Sequence, residues 1–161
     1  MKKILCLLLA LMLAAVPCTA LAAGGYNDVP SDSWAVSVIQ SAKDHGLMEG
    51  TAASTFGYGH TLTRAQFVTI LTRMFGWETT AADPGFSDTA GHWAASSIAA
   101  AAAHNAIDKG NAFRPNAAIT REEMSVMLVR ALGYQSLAQT AASYPLPFTD
   151  VTANKGYIAI A

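Results

Sequence analysis

The chain has 161 residues, of which 52% are hydrophobic and 13% are charged, and its 10 basic and 11 acidic residues give a formal net charge of −1. This balance, without a basic stripe, argues against nucleic acid as a partner. The length suits one compact domain or a few small repeats, and the many alanines favour helices over strands.

The first 22 residues are typical of a secretory signal peptide. Two lysines precede an apolar stretch at 4–16, and Ala20-Leu21-Ala22 forms a small-x-small triplet suited to signal peptidase. A membrane anchor is the alternative, but the apolar stretch is shorter than the ~20 residues that a spanning helix needs. The residues before Cys18 do not resemble a lipobox. We therefore expect cleavage before Ala23 and export of the mature chain.

Cleavage would change both the cysteine content and the charge. Cys6 and Cys18 lie in the segment to be removed, although export leads to a compartment where disulfides persist. Loss of Lys2 and Lys3 lowers the basic residues from 10 to 8 against 11 acidic ones, so the mature chain carries about −3. Its stability is expected to come from packing alone.

The rest of the chain repeats itself. Tyr26-Asn27-Asp28-Val29 recurs as Phe86-Ser87-Asp88-Thr89 and as Phe148-Thr149-Asp150-Val151, an aromatic-x-Asp opening at intervals of about 60 residues. Trp34-Ala35 recurs as Trp93-Ala94. Such a period indicates supersecondary units that bury their apolar faces against one another.

A first helix is predicted after the aspartate of each full copy. In the first copy Asp32 is placed to cap this helix, and Gly46 is placed to end it in the left-handed conformation. Asn105, which also tolerates that conformation, stands at the equivalent place in the second copy. The predicted apolar face of the first helix comprises Trp34, Val38, Ile39 and Ala42.

A second helix is predicted in each copy from a Thr-x-x-Gln/Glu capping box, Thr63 with Gln66 and Thr120 with Glu123. Apolar residues then follow at i, i+3, i+4, i+7 and i+8 in both copies, and a glycine ends each run. These residues are Phe67, Ile70, Leu71, Met74 and Phe75 before Gly76, and Met124, Met127, Leu128, Ala131 and Leu132 before Gly133.

These patterns predict an all-α chain of tandem helix-loop-helix repeats. A fifth helix is expected after Asp150, and two linkers are expected where Ala, Thr, Ser and Pro replace the apolar periodicity. The predicted divisions are a signal peptide (1–22), a first repeat (23–78), a linker (79–85), a second repeat (86–134), a linker (135–147) and the start of a third repeat (148–161).

The order of these motifs resembles the S-layer homology (SLH) family. The first copy departs from the family pattern at Tyr58, where Pro is usual, and at Gln66, where Glu is usual. The third copy keeps Phe148 to Val151 and has Tyr157 near the tryptophan position. The second copy is nearly complete, with Phe86-Ser87-Asp88, Trp93-Ala94, Ile98, Phe113-Arg114-Pro115, Ile119-Thr120-Arg121-Glu122-Glu123 and Leu132-Gly133.

The resemblance implies a domain that holds exported proteins on the bacterial envelope by binding secondary cell-wall polysaccharide, often pyruvylated, or a peptidoglycan-linked polymer. It also implies ligand grooves between repeats of a partial pseudo-threefold bundle, with no cofactor and no membrane span after signal cleavage. Two alternatives remain open, an assembly module that binds other proteins and the anchoring fragment of a longer surface enzyme. The incomplete third repeat predicts self-association or a longer natural chain, because a second helix is missing to cover its apolar residues.

Six residues are the candidate polysaccharide contacts. Each arginine among them follows a Thr N-cap and stands at N1, where the helix macrodipole disfavours a cation. A bound carboxylate would reverse this by meeting free N–H groups and a guanidinium together. The alternative is an internal ion pair from each arginine to an aspartate. The six are Asp28, Trp34, Arg64, Asp88, Trp93 and Arg121.

The other candidates also have two open interpretations. Trp34 and Trp93 could stack on sugar rings, but packing in the core or at its rim is the commoner use of Trp in the first turn of an amphipathic helix, and both roles can coexist at a groove wall. Asp28 and Asp88 suit a turn as well as a sugar hydroxyl contact.

No catalytic or metal site is predicted. The four histidines show no i, i+4 pair, and His45 and His104 stand where the C-terminal helix dipole favours a histidine. Motifs for a serine nucleophile, a phosphate-binding loop or paired carboxylates are absent from the sequence. We therefore expect no enzyme activity within these residues.

Overall fold

The computed structural model describes residues 25–79 and 85–161, so the predicted signal peptide lies outside the described residues. This part of the chain contains no strand, and its β-type pairings are isolated bridges between Ala52 and Thr55 and between Thr63 and Ala118. The predicted all-α fold class is confirmed. The helices are α1 (Ala35–Asp44), α2 (Arg64–Met74), α3 (Ala95–Ala103), α4 (Arg121–Ala131), α5 (Gln135–Ala141) and α6 (Lys155–Ile160).

The chain divides into two compact units. The first comprises Met1–Ser41 and Gly50–Tyr58, of which the part from residue 25 is described. The second comprises Ala42–Glu49 and Gly59–Ala161. Each unit has its own cluster of buried side chains.

The core of the first unit forms around Tyr26. Phe56 packs against it, with 5.4 Å between the ring centroids, and the Tyr26 hydroxyl accepts the Gly50 N–H at 3.0 Å. A Cβ at position 50 would clash with the Tyr26 ring and the Thr55 carbonyl, so this close approach requires glycine. The other buried residues of this core are Val29, Ala35 and Ile39.

The buried face of α1 differs from the predicted one. Ala35 and Ile39 are buried, whereas Trp34 and Val38 are exposed. The helix begins at Ala35, and its buried face consists of Ala35 and, one turn later, Ile39. Trp34 and Val38 each precede one of these residues by one position and therefore face solvent. The prediction was right for Ile39 and wrong for Trp34 and Val38.

The start of α1 is also capped one residue later than predicted. The Ser33 Oγ accepts the Ala35 N–H at 3.2 Å, which is the role that the sequence assigned to Asp32. A serine is as good an N-terminal cap as an aspartate, so local preference alone does not separate these neighbours.

Left-handed residues end four helices as predicted. This conformation lets the N–H of the next residue donate to a carbonyl in the last turn of the helix. After Gly46, for example, the Leu47 N–H donates to the Ala42 carbonyl at 2.8 Å. The four residues are Gly46 (φ +66°), Gly76 (φ +62°), Asn105 (φ +57°) and Gly133 (φ +78°).

The second unit has the larger core, to which α2, α3 and α4 all contribute. The alanine-rich α3 is buried over most of its length, because small side chains let it approach α2 closely at little cost in side-chain entropy. Thr72 in α2 is buried there and its hydroxyl donates to the Val68 carbonyl at 2.9 Å. The largest fully buried side chains are Val68, Leu71, Ile98, Phe113 and Val129.

Both predicted capping boxes are present. Thr63 Oγ1 accepts the Gln66 N–H at 3.2 Å, and Gln66 Oε1 accepts the Thr63 N–H at 2.9 Å. Thr120 and Glu123 exchange the same two bonds at 3.1 and 3.0 Å. These boxes determine where α2 and α4 begin, and hence the position of Arg64 and Arg121 at the first helical residue.

Part of the predicted linker at 135–147 is helical. α5 occupies Gln135–Ala141, with Ala138 and Ala141 buried, and it packs against α6. A Cβ at Gly156 of α6 would overlap the Ala138 carbonyl, so the two helices meet at backbone contact. The predicted helix after Asp150 is confirmed as α6.

Candidate functional site

The two candidate aspartates act as clamps on the loop that precedes the second helix. Asp28 Oδ1 accepts the Phe56 N–H at 2.8 Å, and its Oδ2 accepts the N–H groups of Gly57 and Tyr58 at 2.7 and 2.9 Å. These bonds, above all that from Phe56, lower the pKa of Asp28 below its ordinary value of 3.8. Both oxygens of this carboxylate thus accept hydrogen bonds from the backbone.

Asp88 makes the same clamp with one bond fewer. It accepts the N–H groups of Phe113 and Arg114 at 2.8 and 2.7 Å, and the bond from Phe113 is the largest cause of its lowered pKa. Pro115 has no N–H, whereas Tyr58 at the equivalent position supplies the third bond in the first copy. The departure at Tyr58 therefore has a structural consequence.

The Arg64 side chain is bound within the protein. Its Nη1 lies 2.6 Å from Glu123 Oε1, its Nε donates to the Phe113 carbonyl at 2.8 Å, and the guanidinium covers the Phe113 ring at 4.7 Å. The side chain is 11% exposed, and burial lowers the pKa of Arg64 while the Glu123 charge opposes this. The partner is Glu123 and not the aspartate of either clamp.

The backbone around Arg64 is also hydrogen-bonded to the second copy. The Arg64 N–H donates to the Ala117 carbonyl at 2.9 Å, and the Ala65 N–H donates to the Pro115 carbonyl at 3.0 Å. The Ile119 N–H donates to Leu62 in return. The segment at 115–119 of the second copy therefore covers the N-terminal edge of α2.

The corresponding edge of α4 is open. Arg121 is exposed, and neither its side chain nor the N–H groups of Arg121 and Glu122 find a protein partner in the described part of the chain. The Glu122 carboxylate accepts the Asn154 amide at 2.7 Å. Equivalent sequence positions thus hold one partly buried, ion-paired arginine and one exposed arginine.

Arg114 is a neighbour of the candidate site that was not predicted from the sequence. Its Nη2 lies 3.1 Å from Glu123 Oε1, the oxygen that Arg64 also binds, and its side chain is mostly exposed. Its φ is +59°, a left-handed value that Gly57 adopts at the equivalent place in the first copy. Alignment of the two copies pairs Arg114 with a glycine, and that pairing is the signal that could have singled it out.

Both candidate tryptophans are exposed, Trp34 by 78% and Trp93 by 63%. The packing interpretation was therefore wrong for both. Ala35 and Ala94, the residues that follow them, are buried in their place. Each of the two copies thus presents an indole to solvent near the start of its first helix.

A side-chain hydrogen bond flanks each of these tryptophans. In the first copy, Ser33 Oγ and the Tyr58 hydroxyl are 3.1 Å apart. In the second copy, His92 Nε2 and Asn116 Oδ1 are 3.2 Å apart. Each bond joins the residue before the tryptophan to the loop that follows Phe56 in the first copy or Phe113 in the second.

The described residues contain no cluster of three metal-ligating side chains. His104 lies at the C-terminal end of α3 and stacks on Trp77 with 4.5 Å between the ring centroids. No helix among residues 25–79 and 85–161 has the length and apolar character needed to cross a bilayer.

The duplicated clamp, capped second helix and exposed tryptophan define a module built from helix-loop-helix repeats. The family described as "S-layer homology domain" matches residues 25–68 and 85–125, which together make up more than half of the chain. The chain belongs to this family, and the resemblance drawn from the sequence is confirmed.

Several relatives share this region. The chain is 39% identical over 111 residues to the Endoglucanase of Bacillus sp. (strain KSM-635), covering 68% of this chain and 12% of that protein. It is 34% identical over 125 residues to the S-layer protein sap of Bacillus anthracis, covering 76% and 15%. It is 34% identical over 116 residues to the Amylopullulanase of Thermoanaerobacterium thermosulfurigenes, covering 71% and 6%. The chain therefore spans less than a sixth of each of these relatives.

Proposed function

We propose that this chain attaches non-covalently to the cell envelope by binding secondary cell-wall polysaccharide. Membership of the SLH family and similarity to an S-layer protein support attachment at the cell surface. The observation that carries the polysaccharide assignment is the pair of exposed tryptophans at equivalent positions. We infer an exported protein on the same grounds, with cleavage before Ala23 as the expected processing.

An exposed indole is suited to a sugar. Its flat apolar face can cover the C–H face of a pyranose ring while its edge remains polar, and a large exposed apolar surface is a common mark of a binding site. The hydrogen-bonded pairs beside Trp34 and Trp93 add hydroxyl, imidazole and amide groups for sugar hydroxyls. Each copy thus combines a stacking surface with polar partners.

Arg121 supplies the charge for an acidic sugar such as a pyruvylated one. Its guanidinium and the open N–H groups of α4 together suit a carboxylate. Arg64 cannot do the same while it binds Glu123 and the Phe113 carbonyl. The proposed contacts are therefore Trp34, Trp93 and Arg121, while Asp28, Asp88 and Arg64 hold the loops in place.

We infer that the module serves attachment and not catalysis. The similarity to the Endoglucanase and the Amylopullulanase spans only 12% and 6% of those proteins. Such small shares suit a module that diverse surface proteins carry beside their own catalytic parts.

The test is binding of the mature chain to purified cell wall and to wall stripped of its secondary polymer. We expect sedimentation with intact wall only. Trp34→Ala and Trp93→Ala should each weaken binding about fivefold or more, because truncating a contacting tryptophan costs more than ~1 kcal/mol. Tyr144→Ala, which removes another exposed aromatic ring, is the matched control. Equal binding to stripped wall, or tryptophan variants that bind like the control, would overturn the proposal.

A second function is favoured by the open edge of α4. The same edge in α2 is filled by a protein segment, at 115–119, that supplies backbone carbonyls. A repeat from another chain could supply them to Arg121 and Glu122. The second candidate is therefore assembly between chains through this edge.

A further inference from the structure

His92 stands directly before Trp93 and uses both nitrogens of its ring. Nδ1 accepts the Ala94 N–H at 3.2 Å, and Nε2 lies 3.2 Å from Asn116 Oδ1. The ring is also in contact with the indole of Trp93, with 5.4 Å between centroids at an angle of 36°. The imidazole is partly buried, whereas the indole beside it is exposed.

These bonds require one protonation state of the ring. The Ala94 N–H is a donor, so Nδ1 must be an unprotonated acceptor and the single proton must lie on Nε2, facing the Asn116 carbonyl oxygen. A second proton on Nδ1 would place two donors against each other. It would also place a cation at the N-terminal end of α3, where the helix dipole is unfavourable to it.

The first copy achieves the same geometry without a titratable group. Ser33 precedes Trp34, its Oγ accepts the N–H of Ala35 at 3.2 Å, and it bonds to the Tyr58 hydroxyl across the loop. A hydroxyl keeps these bonds throughout the range in which histidine changes charge. The two copies therefore build the same support with a hydroxyl in the first case and an imidazole in the second.

The charged groups of the surrounding segments are engaged elsewhere. Asp88, in the turn before His92, binds the N–H groups of Phe113 and Arg114. The Arg114 guanidinium, in the loop that carries Asn116, binds Glu123. Among the described residues no salt bridge reaches the His92 ring.

We propose that His92 is a positioning residue for Trp93, and that its protonation weakens polysaccharide binding by the second copy while binding by the first copy persists. This rests on the proposed function, because Trp93 must contact the glycan for the effect to appear in binding. The envelope outside the cell is exposed to the pH of the medium, so a module with these two copies keeps part of its attachment in acid.

The experiment isolates each copy in the full chain. Trp34→Ala leaves binding to the second copy and Trp93→Ala leaves it to the first, and the wall affinity of both is measured from about pH 8 to pH 5, where histidine titrates. We expect the Trp34→Ala variant to lose affinity roughly two- to tenfold over this range, the effect of one hydrogen bond. The Trp93→Ala variant meets the same wall and should show a flat profile.

His92→Ser in the Trp34→Ala chain gives the second copy the residue of the first. It should flatten the pH profile, whereas His92→Ala should weaken binding at every pH because both bonds are lost. Identical profiles for the Trp34→Ala and Trp93→Ala variants would overturn the role of His92. Unchanged binding of both variants at pH 8 would instead overturn the proposed function.

A measurement without wall tests the support directly. In proton–nitrogen NMR spectra of the free protein, the Ala94 amide resonance should move as the pH falls in the wild type and stay in place in His92→Ser. An Ala94 amide that is insensitive to pH in the wild type would show that the bond to Nδ1 is not formed, and the proposal would be wrong whatever the wall binds.

Discussion

A carboxylate that accepts consecutive backbone N–H groups holds a loop only while it is ionised. Asp28 does so for residues 56–58, and Asp88 does so for residues 113–114. The folded chain therefore prefers the deprotonated form, and the pKa of both groups is lowered. The resulting stability is present above the ordinary pKa of 3.8 and is lost as the pH falls through the lower value of the folded state.

Asp28→Asn and Asp88→Asn should therefore lower the thermal midpoint at pH 7. An amide offers one acceptor oxygen and turns an NH2 donor toward backbone donors. The difference from wild type should shrink below about pH 4, because the wild-type carboxylates become protonated there. Melting curves between about pH 7 and pH 2.5 measure this. Asp32→Asn is the control, and an equal loss in that variant would contradict the clamp.

The two arginines at the first helical position should respond differently to truncation. Arg64→Ala removes a partly buried ion pair and a bond to the Phe113 carbonyl, and should cost about 1.5–3 kcal/mol of unfolding free energy. Arg121→Ala removes an exposed side chain and should stay within about 0.5 kcal/mol. Denaturant unfolding compares the two. Arg64→Lys should recover only part of the loss, because an ammonium lacks the planar fork.

Equal stability of the Arg64→Ala and wild-type chains would mean that the contact with Glu123 is not formed in solution. Arg64 would then return to the set of candidate ligand contacts together with Arg121.

At the scale of helices, the features predicted correctly are those set by neighbours in sequence. The capping boxes and the left-handed ends depend on residues at most five apart, such as Thr63 with Gln66 or Gly46 with the preceding turn. Such contacts form whenever the helix does. The repeat makes them more visible, because each signal occurs twice.

The features that the sequence did not predict depend on distant residues. Arg64 binds Glu123, which lies a whole repeat further along the chain. α5 has only seven residues, too few to be stable in isolation, and it forms where Gly156 of α6 can meet Ala138. The orientation of Trp34 depended on a shift of one residue in the start of α1. Periodicity within one segment carries none of this information.

At the scale of the whole molecule, the second copy differs from the first in what covers it. The N-terminal edge of α2 receives carbonyls from the segment at 115–119, and the edge of α4 receives none from the described residues. Exposed apolar side chains continue beyond α4, at Leu137 and Phe148. An open backbone edge and exposed apolar side chains each favour contact with another chain.

We therefore expect a chain of residues 23–161 to associate with itself in a concentration-dependent way. Arg121→Glu should shift sedimentation toward the monomer, because it reverses the charge at the edge that a carbonyl or carboxylate of a second copy would meet. Lys109→Glu makes the same charge change at an exposed site elsewhere and should leave association unchanged. A monomer at all concentrations, or equal effects of both variants, would contradict assembly through this edge. If Arg121→Glu instead lowers wall binding in a chain that stays monomeric, the open edge of α4 binds the polysaccharide. The first candidate function then accounts for Arg121 as well as for the two tryptophans.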